Sequence, residues 1–176
     1  NSLQTAILTG VTESPVTVRS FWDAGFRNMF NMQFLKDYTF GFSTNGFFRS
    51  IGVGDTSDVD FEFSVPVDDF ATDWICSHEL TRYDPKNKAV CFFFSGKERI
   101  GGGYVTLVFP YLPNQNFWNP PMLLKHPEEG CDFIVSGTAT VGNALYFLAG
   151  GKNADDEIEF KTYEFDAADD TPVDCY

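Results

Sequence analysis

Residues 88–97 read KAVCFFFSGK, and 55 residues later, at 143–152, the chain reads NALYFLAGGK. Each position of the first run matches its counterpart in type or size, and both runs end in small residues. After a polar loop, a second segment rich in aromatic and β-branched residues follows each run, at 104–111 and at 158–165. The chain therefore contains an internal repeat whose unit includes a strand, a turn and a second strand.

A third, weaker copy of the unit lies upstream of these two. Its apolar run is 37–43, its loop is 46–57 and its second strand is 59–67. We therefore predict a repeat region of about three β-sheet units over residues 37–176. The preceding segment, 1–36, is predicted to attach or close this region.

Short alternating runs predict half-buried antiparallel strands. In 60–67, phenylalanine and valine alternate with polar or turn-forming residues, and 106–112 behaves similarly. Such alternation gives each strand one apolar face. The apolar positions of 157–165 are Ile158, Phe160, Tyr163 and Phe165.

Helical patterning is scarce. One candidate helix covers 20–34, where Trp22, Phe26 and Phe30 recur at every fourth position after a serine suited to capping. A pair of strands explains the same residues nearly as well. Because the remaining pattern is short apolar runs broken by Gly, Pro, Asn and Asp, we predict an all-β fold of repeated antiparallel sheets.

A period of roughly 45–55 residues with about four strands per unit is typical of propeller blades, whose sheets bury their faces by stacking on neighbours. Over residues 37–176 the chain resembles a kelch-type or related β-propeller repeat. The resemblance is carried by the glycine pair at 150–151, with 95–96 as a looser copy, and by Trp118 near the end of a unit. Three units are too few to close a ring. Either another chain or segment supplies the missing blades, or the fold is a β-sandwich of repeated hairpins.

The segment 82–92 is similar to hairpins in propeller-bearing tail and fibre proteins of bacterial viruses, through a tyrosine, a turn and an apolar strand. The Asp-Pro pair at 84–85 predicts a type I turn, with Asn87 in a left-handed conformation. Counting outward from this turn gives the expected register. The residues opposite each other are then Tyr83 and Ala89, and Cys91 and Thr81.

The four cysteines, at positions 76, 91, 131 and 175, match no zinc pattern, because structural zinc sites use closely spaced pairs. We expect free buried thiols instead. The predicted register places Cys76 too far along the hairpin to form a disulfide with Cys91. Cys175 lies in a polar tail, and we expect it to be exposed and reactive.

Charge and hydropathy exclude two classes of partner. Of the 176 residues, 25 are acidic and 12 are basic, so the formal charge is −13 and a phosphate backbone would be repelled. The longest apolar runs, such as 89–94, are far shorter than the roughly 20 residues of a membrane-spanning helix. We therefore predict no nucleic-acid partner and no membrane insertion.

Two segments are candidate binding sites. In the first, Asn116, Phe117 and Trp118 combine amide and aromatic side chains beside a proline pair, which is the chemistry of a glycan site. The alternative is that Trp118 packs between repeat units. In the second, the glycine-rich segment 52–60 carries Asp55, Asp58 and Asp60, oxygen ligands that suit calcium, although such charge also serves to keep sheets soluble.

Catalytic motifs are lacking. Neither His78 nor His126 lies at a metal-ligand spacing from another histidine or beside a nucleophile motif. The sequence has no nucleophile elbow, no zinc-protease helix and no phosphate-binding loop. We therefore expect no catalytic residue and, calcium aside, no cofactor.

These observations predict a non-enzymatic structural or binding module, such as a component of a virion or phage tail, located in the virion or outside the cell. Its predicted partners are other protein chains of an assembly, because the repeat needs neighbours and occurs only about three times. A glycan on the host surface is a further expected ligand. The alternative is an extracellular propeller enzyme that binds or hydrolyses glycans, whose paired carboxylates are defined by their separation in space.

Overall fold

The computed structural model describes residues 6–9, 17–20, 32–35, 38–43, 46–51, 58–60, 78–166 and 173–175. Within these residues every helix or strand element is a β-strand, so the predicted all-β fold is confirmed. The strands pair antiparallel in four sheets. No helix in the described part of the chain is long and apolar enough to cross a membrane.

Two of the sheets lie in the N-terminal part of the chain. The N-terminal hairpin pairs β1 (Ala6–Thr9) with β2 (Thr17–Ser20). The first sheet has the order β3 (Met32–Leu35), β4 (Tyr38–Ser43), β5 (Gly46–Ile51), β6 (Asp58–Asp60). It therefore begins before residue 37, the predicted start of the repeat region.

The middle sheet is built on β7 (His78–Asp84), β8 (Ala89–Ile100) and β9 (Gly103–Leu112). The short strands β10 (Phe117–Trp118) and β11 (Met122–Leu124) both pair with the outer edge of β9. The third sheet has the order β12 (Ile134–Val141), β13 (Ala144–Lys152), β14 (Ile158–Phe165), β15 (Val173–Cys175).

The repeat seen in the sequence corresponds to equivalent strands. The two matching runs form β8 and β13, and the segments that follow them form β9 and β14. The weaker copy is also a sheet, but its predicted loop is wrong at the start, because residues 46–51 form β5 and pair with the whole of β4. Phe47 explains the difference, since it lies opposite Phe42 and is fully buried, so core packing outweighs the polar residues around it.

Both ends of the candidate helix at 20–34 lie in strands. Ser20 is the last residue of β2, and Met32 is the first residue of β3. Residues 21–31 lie outside the described part of the chain, as do residues 61–67 of the strand predicted at 60–67. The polar C-terminal tail contributes β15 to the edge of the third sheet.

The middle sheet lies between the first and third sheets and is apolar on both faces. Alternate residues of β8 point in opposite directions, so one set packs on the first sheet and the other on the third. The first set is Val90, Phe92 and Phe94, and the second is Ala89, Cys91 and Phe93. The prediction that 106–112 is half-buried is therefore wrong, because β9 is covered on both sides as well.

The core between the first and middle sheets is aromatic. The Phe47 ring lies 4.8 Å from that of Phe92 and 5.1 Å from that of Trp118, and both contacts are tilted or edge-on. The core between the middle and third sheets is centred on Phe147, which stacks on Tyr163 at 5.5 Å. Sheets that pack face to face in this way occur both in neighbouring propeller blades and in the layers of a β-sandwich. The fold agrees with both.

The hairpin between β7 and β8 differs from the predicted register by one residue. Tyr83 lies opposite Val90, and Cys91 lies opposite Arg82. The left-handed residue of the turn is Lys88, with φ of 54°, rather than Asn87. The Asp84 carboxylate stabilises the observed turn. It accepts hydrogen bonds from the Lys86 backbone N–H at 3.0 Å and from the Asn87 side-chain amide at 2.8 Å.

Replacing Phe47 by alanine is expected to lower the free energy of unfolding by about 3–5 kcal/mol, because a buried ring that joins two sheets is lost. Phe117→Ala, at an exposed phenylalanine, should change it by less than about 0.5 kcal/mol. Urea unfolding monitored by fluorescence measures both. Equal losses in the two variants would contradict the assignment of Phe47 to the core.

Candidate functional site

The aromatic segment predicted to bind a glycan lies where the turn after β9 meets β10: Asn116 ends the turn, and Phe117 and Trp118 form β10. Asn116 adopts a left-handed conformation, with φ of 50°, and its Oδ1 accepts hydrogen bonds from the Tyr111 hydroxyl at 2.6 Å and from Arg49 Nη1 at 3.1 Å. Arg49 also donates to the Tyr111 hydroxyl at 2.9 Å. This amide is therefore engaged in joining the first sheet to the middle one.

The two aromatic residues of the turn point in different directions. Trp118 is only 9% exposed and packs against Tyr111 at 4.9 Å, between the first and middle sheets. Phe117 is 53% exposed. A sugar stacks on an open aromatic face. The glycan site stays a prediction, and within this turn Phe117 is the aromatic residue able to make that contact.

Two of the three predicted calcium ligands lie in the described part of the chain. Asp58 and Asp60 lie at the ends of β6, opposite Ile51 and Arg49 of β5 in the register. They belong to β6, so the candidate calcium segment 52–60 ends in a strand. Asp55 lies outside the described residues. The calcium site stays a prediction.

A different group of potential ligands lies between β11 and β12, in the segment 126–131, which we call the His-Glu-Cys loop. Its members are His126, Glu128 and Cys131, whose donor atoms all lie within 4.8 Å of one another. Cys131 is buried, Glu128 is exposed and His126 is intermediate. The Cys131 thiol donates a weak hydrogen bond to Glu128 Oε2 at 3.9 Å, and the Glu128 backbone N–H donates to His126 Nδ1 at 3.1 Å.

The end of this loop is fixed to the start of β9 by backbone contacts. The Gly130 N–H donates to the Gly101 carbonyl at 2.7 Å, and the Phe133 N–H donates to the Tyr104 carbonyl at 2.7 Å. Gly103 lies so close that a Cβ built on it would be 1.8 Å from the Cys131 carbonyl oxygen. Close backbone approach of this kind requires glycine, and it holds Cys131 in place.

Asp132 connects the same loop to both neighbouring strands. Its Oδ1 accepts from the Tyr104 N–H at 2.9 Å and its Oδ2 from the Lys152 N–H at 3.1 Å. A small cavity beside this carboxylate is lined by His126, Cys131 and Lys152, among others. The Lys152 ammonium pairs with Asp156 at 2.9 Å, which offsets its positive charge next to the cavity.

The sequence did carry a signal for this loop. The spacing His126-x-Glu128-x-x-Cys131 brings an imidazole, a carboxylate and a thiol together within six residues. Structural zinc sites usually carry closely spaced pairs of cysteines or histidines, and this mixed triad has neither pair.

Cys91 and Cys131 are free and buried, as predicted. Burial raises the pKa of the Cys91 thiol well above its ordinary value of 9.0, and the nearby Asp84 carboxylate raises that pKa further. Cys91 is accordingly a core side chain with no thiolate at neutral pH. Cys76 lies outside the described residues, and of Cys175 only the backbone position opposite Thr162 is described.

Comparison with known proteins gave no match. No family model matches the chain, and no curated protein or solved structure is similar to it.

Cys91 is expected to resist alkylation by iodoacetamide in the native protein at pH 8 and to react once the protein is unfolded. Because the folded pKa is raised, the unfolded thiol ionises first, and this residue's contribution to stability is lost as the pH rises above about 9. Peptide mapping after timed alkylation measures the reaction. Rapid labelling of Cys91 under conditions where the protein stays folded would contradict its place in the core.

Proposed function

We propose that the chain is a non-enzymatic structural or binding module that assembles with other protein chains through the outer face of its third sheet. The observation that carries the proposal is a group of exposed apolar residues on that face, which we call the outer patch. It consists of Leu148, Ile158 and Phe160, which are 42%, 66% and 45% exposed.

Strand pairing brings these three residues together. Leu148 lies opposite Thr162, Phe160 lies opposite Gly150, and Ile158 lies opposite Lys152. Residues two apart on one strand share a face, so Ile158 and Phe160 are neighbours, and Leu148 is diagonal to Phe160. The prediction that Ile158 and Phe160 face the core was wrong, because the inward positions of β14 are Tyr163 and Phe165.

In the other copy of the repeat, the face equivalent to the outer patch is covered by another sheet. Leu145, Phe147 and Ala149 of β13 face the middle sheet, as their counterparts on β8 face the first sheet. The sheets are therefore stacked in the same orientation. Leu148 then corresponds to Phe93 of β8, which is buried by the third sheet.

The outer patch is thus the position at which a further sheet would continue the stack. Exposed apolar groups of this kind mark interaction sites, because their transfer out of water is favourable. We propose that the partner is a second copy of this chain, because its sheets carry the same apolar chemistry. The resemblance of 82–92 to tail and fibre proteins supports placing such an assembly in a virion or phage tail.

A glycan contact at the turn from β9 to β10 is a second candidate function. It is supported by the exposed ring of Phe117 and by the amides that surround it in the sequence. The two functions are compatible, because this turn belongs to the middle sheet and the outer patch to the third.

Phe160→Asp is expected to weaken self-association of the chain at least tenfold, because it places a charge in the apolar contact. The matched control is Phe117→Asp, which places the same charge on an exposed phenylalanine outside the outer patch and should leave association unchanged. Sedimentation equilibrium over a range of concentrations measures both. Because each copy carries a charge of −13, association should strengthen with salt.

Two results would contradict the proposal. One is a wild-type chain that stays monomeric at every concentration and salt level. The other is equal association in the two variants, which would place the contact elsewhere.

A further inference from the structure

We propose that the His-Glu-Cys loop binds one transition-metal ion of the zinc class through His126, Glu128 and Cys131. The proposal is independent of the assembly described above, because it uses different residues and makes no use of the outer patch. Imidazole, carboxylate and thiolate are the three protein ligands that zinc accepts, and three such ligands leave a fourth position for water.

The separation of the sulfur and carboxylate ligand atoms is close to that of a tetrahedral site. With metal–sulfur and metal–oxygen distances of about 2.3 and 2.0 Å, the two ligand atoms of a tetrahedral site are separated by about 3.5 Å. The Cys131 Sγ and Glu128 Oε2 atoms are 3.9 Å apart. Glu128 is exposed, so its carboxylate can close this small difference without disturbing the core.

Proton and charge balance also favour the ion. The thiol of Cys131 donates its proton toward Glu128, and a divalent ion would take the place of that proton, which leaves to solvent. The resulting thiolate and carboxylate carry two negative charges, which match the ion. A histidine binds a metal through an unprotonated ring nitrogen, so His126 as a ligand would add no charge to the site.

The fold holds Cys131 in place before any ion binds. Backbone hydrogen bonds fix Gly130 and Phe133 on either side of it, and Gly103 presses against its carbonyl. The sulfur ligand therefore loses little freedom on binding. The sulfur ligand selects a softer ion than calcium or magnesium, so this site differs in chemistry from the calcium site predicted at 55–60.

The test is a titration of the full metal-free chain with Co²⁺ alone, followed by displacement with Zn²⁺. We expect one equivalent of Co²⁺ to produce a thiolate-to-cobalt charge-transfer absorption that Zn²⁺ removes. Binding should tighten as the pH rises, because a proton is released. Glu128→Gln is expected to weaken binding at least tenfold, and Glu129→Gln, the neighbouring exposed carboxylate, should change it less than twofold.

Thermal unfolding of the Glu128→Gln and Glu129→Gln variants checks that they are equally stable. We expect equal stability because both side chains are exposed. Cys131→Ser should abolish the charge-transfer absorption. If that variant does not fold, the two glutamate variants still decide the question, because neither side chain is in the core. Equal affinities in Glu128→Gln and Glu129→Gln, or a wild-type spectrum without the thiolate absorption, would overturn the proposal.

Discussion

The middle sheet has apolar side chains on both faces, and the rest of the structure depends on this constraint. From Ala89 to Phe94 every residue of β8 is apolar, so neither face of the strand can be left in water. One neighbouring sheet can cover only one of these faces. The first sheet therefore covers one face with Phe40, Phe42 and Phe47, and the third sheet covers the other with Phe147 and its neighbours.

A buried polar seam fixes how the third sheet sits on the middle one. The hydroxyls of Ser95 and Thr106 lie 2.7 Å apart, Thr106 donates to the Phe133 carbonyl at 2.7 Å, and the Val135 N–H donates to Ser95 Oγ at 3.1 Å. Apolar packing is tolerant of small shifts, whereas these bonds are satisfied in one register. The same seam leads directly into Asp132 and the His-Glu-Cys loop, so the sheet packing positions the candidate ligands.

Much of the fold was predictable from the sequence. The matching runs that became β8 and β13 carry a strong periodic signal, and the turn residues around Asp84 located the hairpin. The errors concern properties that no local pattern determines. Phe47 follows a polar stretch and a glycine, and its burial depends on a sheet that lies far away in the sequence. Ile158 and Phe160 look like core residues because their strand alternates, but only stacking decides which face is covered.

The candidate sites were likewise predictable only in part. Asn116, Phe117 and Trp118 were found from composition, but the division of roles between a buried tryptophan and an exposed phenylalanine follows from the packing of Trp118 on Tyr111. The His-Glu-Cys loop is local in sequence, yet its ligands become a compact group only because Gly103 and Asp132 hold the end of the loop against β9. Tertiary contacts thus determine which of the candidate residues are able to act together.

Native-state hydrogen exchange followed by NMR tests the central claim, that the middle sheet is enclosed by its two neighbours. The amides of β8 between Ala89 and Ser95 should exchange most slowly, only through global unfolding, because both faces and both edges of this segment are covered. The amides of β14 between Ile158 and Thr162, whose outer face is open, should exchange through smaller openings. Exchange of the β8 segment as fast as that of β14 would contradict the account.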